Sequence, residues 1–245
     1  MEKIYNVKLD VSCQAYGKFA GTKAKPLVIV VHGLPCTINE GIYERACEHF
    51  QQAGYATYRF GLYDWHKDAR QLIDCTLITH AKDLDTVVAH FRENGFKKIF
   101  VAGHSFGGPT ILLSTKQDFD AAVLWDPSYD ISVIKKKYGA SGGKFIKALN
   151  GYFMRWGVSV IIGKKMAEQI DHLEWDGLPE NFHVPLKIIA AQKGVLMAGC
   201  KKYIDHAHEP KALEVLIGAT HYFDDTPTMQ QRLFTATQKW FEKQK

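Results

Sequence analysis

Residues 98–108 read Lys98-Ile99-Phe100-Val101-Ala102-Gly103-His104-Ser105-Phe106-Gly107-Gly108, and their reading decides the fold. Lys98–Ala102 is a short β-rich run of the kind found in strands buried on both faces. Pro109–Lys116, which follows the glycines, is compatible with a helix. Between them Gly103–Gly107 forms a G-x-S-x-G pentapeptide, which holds a serine at the tip of a tight strand-to-helix turn where flanking Cβ atoms would obstruct the chain. A pentapeptide of this pattern arises by chance in a chain this long with a probability of roughly 0.1. Its weight therefore comes from the strand before it and the helix after it.

The same alternation extends outward. Leu27–Val31, Tyr55–Phe60, Ala121–Trp125, Leu186–Ala191 and Ala212–Ile217 are further short runs that suit buried strands. Glu40–Ala53, Thr79–Phe91 and Thr226 to about Phe241 carry apolar residues at helical spacing. Lys3–Asp10 and Gln14–Ala20 alternate apolar and polar residues, which predicts two early antiparallel strands. Strands separated by helices imply a parallel sheet covered on both faces, with ligands at the carboxyl ends of the strands. One segment breaks the rhythm. Between Trp125 and Leu186 no run reads as a buried strand, and the residues look helical with Gly142-Gly143, Gly151 and Gly157 as interruptions. Such an insertion predicts a cap over the active-site end of the sheet.

Composition narrows the function classes. Hydrophobic residues make up 46% and charged residues 23% of the 245, which excludes a disordered chain, a collagen-like fibre and a disulfide-built miniprotein. The longest apolar stretches, such as Leu27–Val31, fall far short of the roughly 20 residues of a transmembrane segment. The net charge of +5 is mild and no nucleic-acid-binding motif accompanies it. The five cysteines are widely spaced without a C-x-x-C pair, and Met-Glu-Lys-Ile-Tyr-Asn at the start is no signal segment. Free thiols and a cytoplasmic location are the expectation.

With these motifs the chain resembles an α/β-hydrolase-fold serine hydrolase of the esterase type. Four features carry the resemblance, from about Leu27 to Lys245: His32-Gly33-Leu34-Pro35 after the strand Leu27–Val31, similar to the family's His-Gly oxyanion loop; the nucleophile elbow Gly103–Gly107; the strand Leu186–Ala191 in the place of the penultimate core strand; and Gly218-Ala219-Thr220-His221-Tyr222-Phe223 after the last strand. The resemblance implies a mostly parallel eight-stranded sheet flanked by helices. The core would comprise residues 1–127 and 185–245, with 128–184 as a helical cap or lid insertion. It also implies Ser105 as nucleophile and His221 as its base, since a serine hydroxyl needs an imidazole to take its proton. The oxyanion donors would be the backbone N–H groups of Leu34 and Phe106. His32 and His104 are expected to support loop geometry, and His206 with His208 to be a surface pair.

The acid departs from the family pattern. The family carries it in a turn after the penultimate strand, but that turn reads Ala191-Gln192-Lys193-Gly194-Val195-Leu196, with Gly194 in the aspartate's place. The preceding strand Ala121–Trp125 runs into Asp126-Pro127, which resembles pancreatic-type lipases, whose acid follows that earlier strand. Asp126 is therefore the candidate acid, with Asp130 and Asp205 as alternatives and a merely capping Asp126 as the plain structural reading.

Eight basic residues (Lys135, Lys136, Lys137, Lys144, Lys147, Arg155, Lys164, Lys165) lie in Ser128–Lys165, opposed only by Asp130. A cap with an apolar underside and a solvated basic surface is one reading; attraction of anionic or interfacial substrates is the other. Cys36, Phe153 and Trp156 are candidate pocket residues. The expected activity is hydrolysis of a small-molecule carboxylic ester, anionic or lipophilic, through an acyl-enzyme, with no metal or organic cofactor. A thioesterase or C–C bond hydrolase on the same residues, and a non-catalytic binding protein that has lost its acid, are the alternatives.

Overall fold

The structure is a computed structural model that describes residues 2–130, 144–156 and 158–245, and the Trp156 side chain lies outside what it describes. Eight strands form one sheet in the order β1-β4-β6-β5-β7-β8-β12-β13: β1 is Lys3–Ile4, β4 Gly17–Ala20, β5 Leu27–Val31, β6 Ala56–Phe60, β7 Ile99–His104, β8 Ala121–Trp125, β12 Leu186–Ala191 and β13 Lys211–Leu216. From β6 to β13 every pairing is parallel, while β4 joins β6 and β1 joins β4 antiparallel.

The two faces of the sheet build two cores from one alternating pattern. In β5, Leu27, Ile29 and Val31 face one cluster and Val28 and Val30 the other. The first cluster is covered by α2 (Leu77–Glu93), α3 (Gly107–Leu112) and α5 (Met197–His206), the second by α1 (Gly41–Gln52) and α6 (Met229–Glu242). That is why the core strands read as continuous apolar runs and not as alternation. The predicted helix at Thr79 starts earlier, at Leu77, because the Thr76 side chain caps it by accepting from Thr79 N at 3.0 Å. α5 was not foreseen; it buries Gly199, Cys200 and Tyr203 along one side.

The first two predicted strands are instead four: β2 (Val7–Lys8) pairs with β3 (Gln14–Ala15), and β1 with β4. The insertion between β8 and β12 also corrects the sequence reading. Residues expected to be helical form an antiparallel sheet of β9 (Lys144–Ile146), β10 (Gly151–Trp156) and β11 (Val158–Gly163), followed by α4 (Lys164–His172). The aromatic and β-branched runs of β10 and β11 favour a pleated surface, and Gly151, read as a helix interruption, is the first residue of β10. This sheet is joined to the main body: Met154 and Ile162, with Met166 and Ile170 of α4, sit in the same apolar cluster as β5 and β7. Lys135, Lys136 and Lys137 lie outside the described residues.

The elbow is sterically determined. A Cβ on Gly107 would stand 2.5 Å from the Val31 carbonyl oxygen, and one on Gly103 2.7 Å from the Gly107 carbonyl oxygen. Both obstacles are backbone. Gly107→Ala is expected to cost about 1–3 kcal/mol, a Tm decrease of about 3–10 °C in thermal unfolding; an unchanged Tm would show that the turn can relax.

Candidate active site

Three loops converge at the carboxyl ends of β5, β7 and β8. Ser105, directly after β7, has φ 54°, a left-handed conformation that costs a non-glycine residue energy and that the surrounding turn must enforce. Its carbonyl oxygen accepts from Gly108 N (2.9 Å) and Ser128 N (3.0 Å), and its own N donates to Trp125 O (3.1 Å). The serine is thus buried, at 7% exposure, and held by backbone on both sides. Its hydroxyl lies 3.2 Å from the hydroxyl of Ser128.

Asp126, directly after β8, also has positive φ, at 40°. It is completely buried, so its carboxylate needs compensating donors. Ala191 N donates to Oδ1 at 3.1 Å, the Cys200 thiol is 4.0 Å from the same atom, and His221 Nδ1 lies 2.6 Å from Oδ2. The His221 side chain is about one-third exposed (32%). The sequence alternatives do not occupy this place: it is Asp126 that bonds His221, while Asp205 is exposed on α5.

Gly194 sits against this pair. A Cβ there would lie 3.0 Å from Asp126 Oδ2 and 3.3 Å from Ala191 O. The residue that looked like a missing acid is the space into which the carboxylate of the neighbouring strand end fits.

The His32-Gly33-Leu34-Pro35 loop lies over the serine: a Cβ on Gly33 would stand 2.8 Å from Ser105 Cβ and 3.4 Å from its Oγ. His32 accepts from Leu62 N at Nε2 (2.9 Å), which leaves its Nδ1–H to donate to Gly33 O (2.8 Å). Burial holds its pKa down to about 4, so at neutral pH the ring is uncharged. His104 is likewise buried and kept neutral, its pKa pushed well below the usual histidine range by desolvation and by the nearby His221. Its Nε2–H donates to the His221 carbonyl at 2.8 Å, so its Nδ1 accepts from Tyr43 OH at 3.0 Å. Tyr43 OH in turn accepts from Gly33 N at 3.0 Å. One buried chain of hydrogen bonds therefore ties the Gly33 loop, the elbow and the His221 loop together. The sequence placed both histidines in supporting positions but contained no signal for Tyr43.

The pocket candidates separate. Cys36 is buried, its thiol 3.5 Å from Tyr222 OH and its carbonyl bonded by Tyr63 OH at 2.7 Å; burial raises its pKa, which makes it a poor thiolate source. Leu34 and Phe106 are both buried in the apolar cluster. Phe153 alternates along β10 with the core-facing Met154, so it points to the opposite side of that strand, with the Arg155 guanidinium over its ring. His206 and His208 are both exposed and bonded to Glu180, through its carboxylate and its carbonyl. Among the described residues no group of three His, Cys, Asp or Glu could hold a metal ion, and no helix is long and apolar enough to cross a membrane.

No curated protein matches the chain in sequence. Among solved structures, Est1E of Butyrivibrio proteoclasticus superposes with a TM-score of 0.77 at 18% identity over 98% of each chain. The monoacylglycerol lipase of Paleococcus ferrophilus superposes with a TM-score of 0.70 at 18% identity, covering 94% of this chain and 99% of its own. Mouse alpha/beta hydrolase domain-containing protein 10 gives 0.76 at 16% identity over 98% and 99%. At such identities these likenesses concern the fold. The model of the family described as serine aminopeptidase, S33, matches residues 22–175, more than half of the chain. The protein belongs to that family, within the α/β hydrolases.

Proposed function

We propose that the protein is a serine hydrolase that cleaves a small-molecule carboxylic ester through an acyl-enzyme, with Ser105 as nucleophile, His221 as proton carrier and Asp126 as the acid that orients it. The observation that carries this reading is the 2.6 Å pair of His221 Nδ1 with the fully buried Asp126 carboxylate. A carboxylate so placed fixes the tautomer, with the proton on Nδ1 and Nε2 left as base. Ser105 then loses its proton to Nε2 as Oγ attacks the ester carbonyl, and the leaving alcohol takes that proton as the acyl-enzyme forms. Water, deprotonated by the same nitrogen, attacks the acyl carbon; Oγ departs and is reprotonated. The backbone N–H groups of Leu34 and Phe106 are the proposed donors to the oxyanion, and such donors are worth about 10²–10³-fold in kcat each.

Within this reading residues 128–184 act as a cap beside the strand ends, though not a wholly helical one. Lys144, Lys147, Arg155, Lys164 and Lys165 are exposed on it, as are Phe145, Leu149 and Val158, a surface suited to acyl groups carrying or accompanied by negative charge. The ester class is also favoured by neighbours of this fold: one is a monoacylglycerol lipase and Est1E binds ferulic acid, a carboxylic acid. Cytoplasmic residence remains part of the proposal.

A fluorophosphonate probe tests the assignment, because it reacts with an activated serine and not with an ordinary one. Labelling of the folded wild type on Ser105, lost in Ser105→Ala and in His221→Ala, is the expected result. An unlabelled wild type, under conditions that label a known serine hydrolase, overturns the reading. Hydrolysis of p-nitrophenyl esters of increasing chain length then defines the acyl group.

A further inference from the structure

Ser128 has no part in the relay just described, yet its hydroxyl stands 3.2 Å from the nucleophile's oxygen. The placement is enforced. Ser128 N donates to Ser105 O at 3.0 Å, and Tyr203 OH, itself buried, donates to Ser128 O at 2.9 Å. The residue is 4% exposed, so water does not compete freely for the hydroxyl. Asp126 and Ser128 flank Pro127 on one short turn, which presents a carboxylate to His221 and a hydroxyl to Ser105.

We propose that Ser128 is a further catalytic residue: its O–H donates a hydrogen bond to Ser105 Oγ and stabilises that oxygen as it leaves the acyl carbon during deacylation. The proposal rests on the acyl-enzyme reading above. The direction of the bond follows from proton counting. The single hydroxyl proton of Ser105 goes to His221 Nε2 in the productive state, so the proton between the two serines belongs to Ser128. At 3.2 Å the bond is long for O–H···O, whose usual distance is about 2.7–2.8 Å, and it has room to tighten when charge builds on Oγ.

The benefit falls unequally on the two half-reactions. In the free enzyme Oγ is a hydroxyl oxygen and already accepts this bond, so acylation gains little more from it. In the acyl-enzyme Oγ is an ester oxygen, a poor acceptor. When water adds to the acyl carbon and the C–Oγ bond breaks, the bonding electrons pass to Oγ, and His221 returns the proton it took from water. Ser128 keeps its own proton throughout and bonds most strongly to Oγ as the charge develops. Only an interaction stronger in the transition state than in the preceding ground state accelerates a step, and that condition is met chiefly in deacylation.

Stopped-flow turnover of p-nitrophenyl acetate by Ser128→Ala separates the steps, since the burst reports acylation and the steady state deacylation. Deacylation is expected to slow about tenfold, the equivalent of one hydrogen bond of about 1.4 kcal/mol, with acylation changed less than about threefold and acetyl-Ser105 accumulating in intact-protein mass spectra. Equal slowing of both steps, a larger loss in acylation, or unchanged deacylation overturns the assignment, whatever happens to Tm. Fluorophosphonate labelling run alongside keeps the two readings apart. An unlabelled wild type removes the acyl-enzyme itself, whereas a labelled Ser128→Ala with normal deacylation removes only the role of Ser128.

Discussion

Asp126→Asn is expected to lower kcat by roughly 10⁴-fold while leaving the fold intact. The magnitude follows from the two hydrogen bonds the carboxylate accepts. Ala191 N donates to Oδ1 at 3.1 Å, and His221 Nδ1 faces Oδ2 at 2.6 Å. An asparagine must turn its carbonyl oxygen toward Ala191 N, because an NH₂ group there would meet another donor. Its NH₂ then faces His221 and bonds only to an unprotonated Nδ1. The imidazole proton moves to Nε2, and the nitrogen that should take the Ser105 proton is already occupied. Activity on p-nitrophenyl esters and Tm, measured side by side, check this; Asp130→Asn and Asp205→Asn should retain most of the activity. A kcat for Asp126→Asn within tenfold of wild type would falsify the assignment of the acid.

How legible this site was in the sequence depends on what kind of signal each residue leaves. Ser105 and His221 announce themselves through chain order and local motif, because strand, tight turn and loop are written in neighbouring residues. Asp126 was readable only as a candidate, since its partner His221 is brought to it by the pairing of β8 with β12 and β12 with β13. Gly194 misled for a physical reason. A glycine in the aspartate's usual place reads as a loss, yet it lies directly against the carboxylate that the neighbouring strand end supplies, where an added Cβ would stand 3.0 Å from Asp126 Oδ2. The insertion reads as helical because Gly151 and Gly157 look like helix interruptions, and the period-2 alternation of the run is obscured by its many apolar residues. Tyr43 and Ser128 leave no mark in the sequence: each contributes one hydroxyl that meets a residue brought close only by the fold, His104 and Ser105 respectively.

Buried imidazoles are expected to govern the protein in acid, where stability should fall steeply between about pH 6.5 and pH 4. His32 and His80 are completely enclosed, and burial lowers their pKa values from 6.5 to about 4 and about 3. As pH drops below 6.5 the unfolded chain takes up protons at both positions and the folded chain does not, so the equilibrium shifts toward unfolding until the folded-state pKa values are passed. At about 1.4 kcal/mol per pKa unit each ring accounts for a few kcal/mol of lost stability, a large share of the 5–15 kcal/mol typical of a domain. The two rings differ in what they give in return. His32 fastens Leu62 N to the Gly33 loop through its unprotonated Nε2, and protonation there would set two donors against each other. Among the described residues neither ring nitrogen of His80 has a hydrogen-bond partner, and His32 and Arg70 add to the cost of charging it. His80→Leu, close in volume and favoured in α2, is therefore expected to raise stability at pH 7 by about 1–3 kcal/mol and to flatten the acid limb, with activity at pH 7 retained. Urea unfolding of wild type and variant at pH 7, 6, 5 and 4.5 measures both effects. A wild type as stable at pH 4.5 as at pH 7, or a variant that loses stability in acid as steeply as the wild type, would show that these buried imidazoles do not control the acid limb.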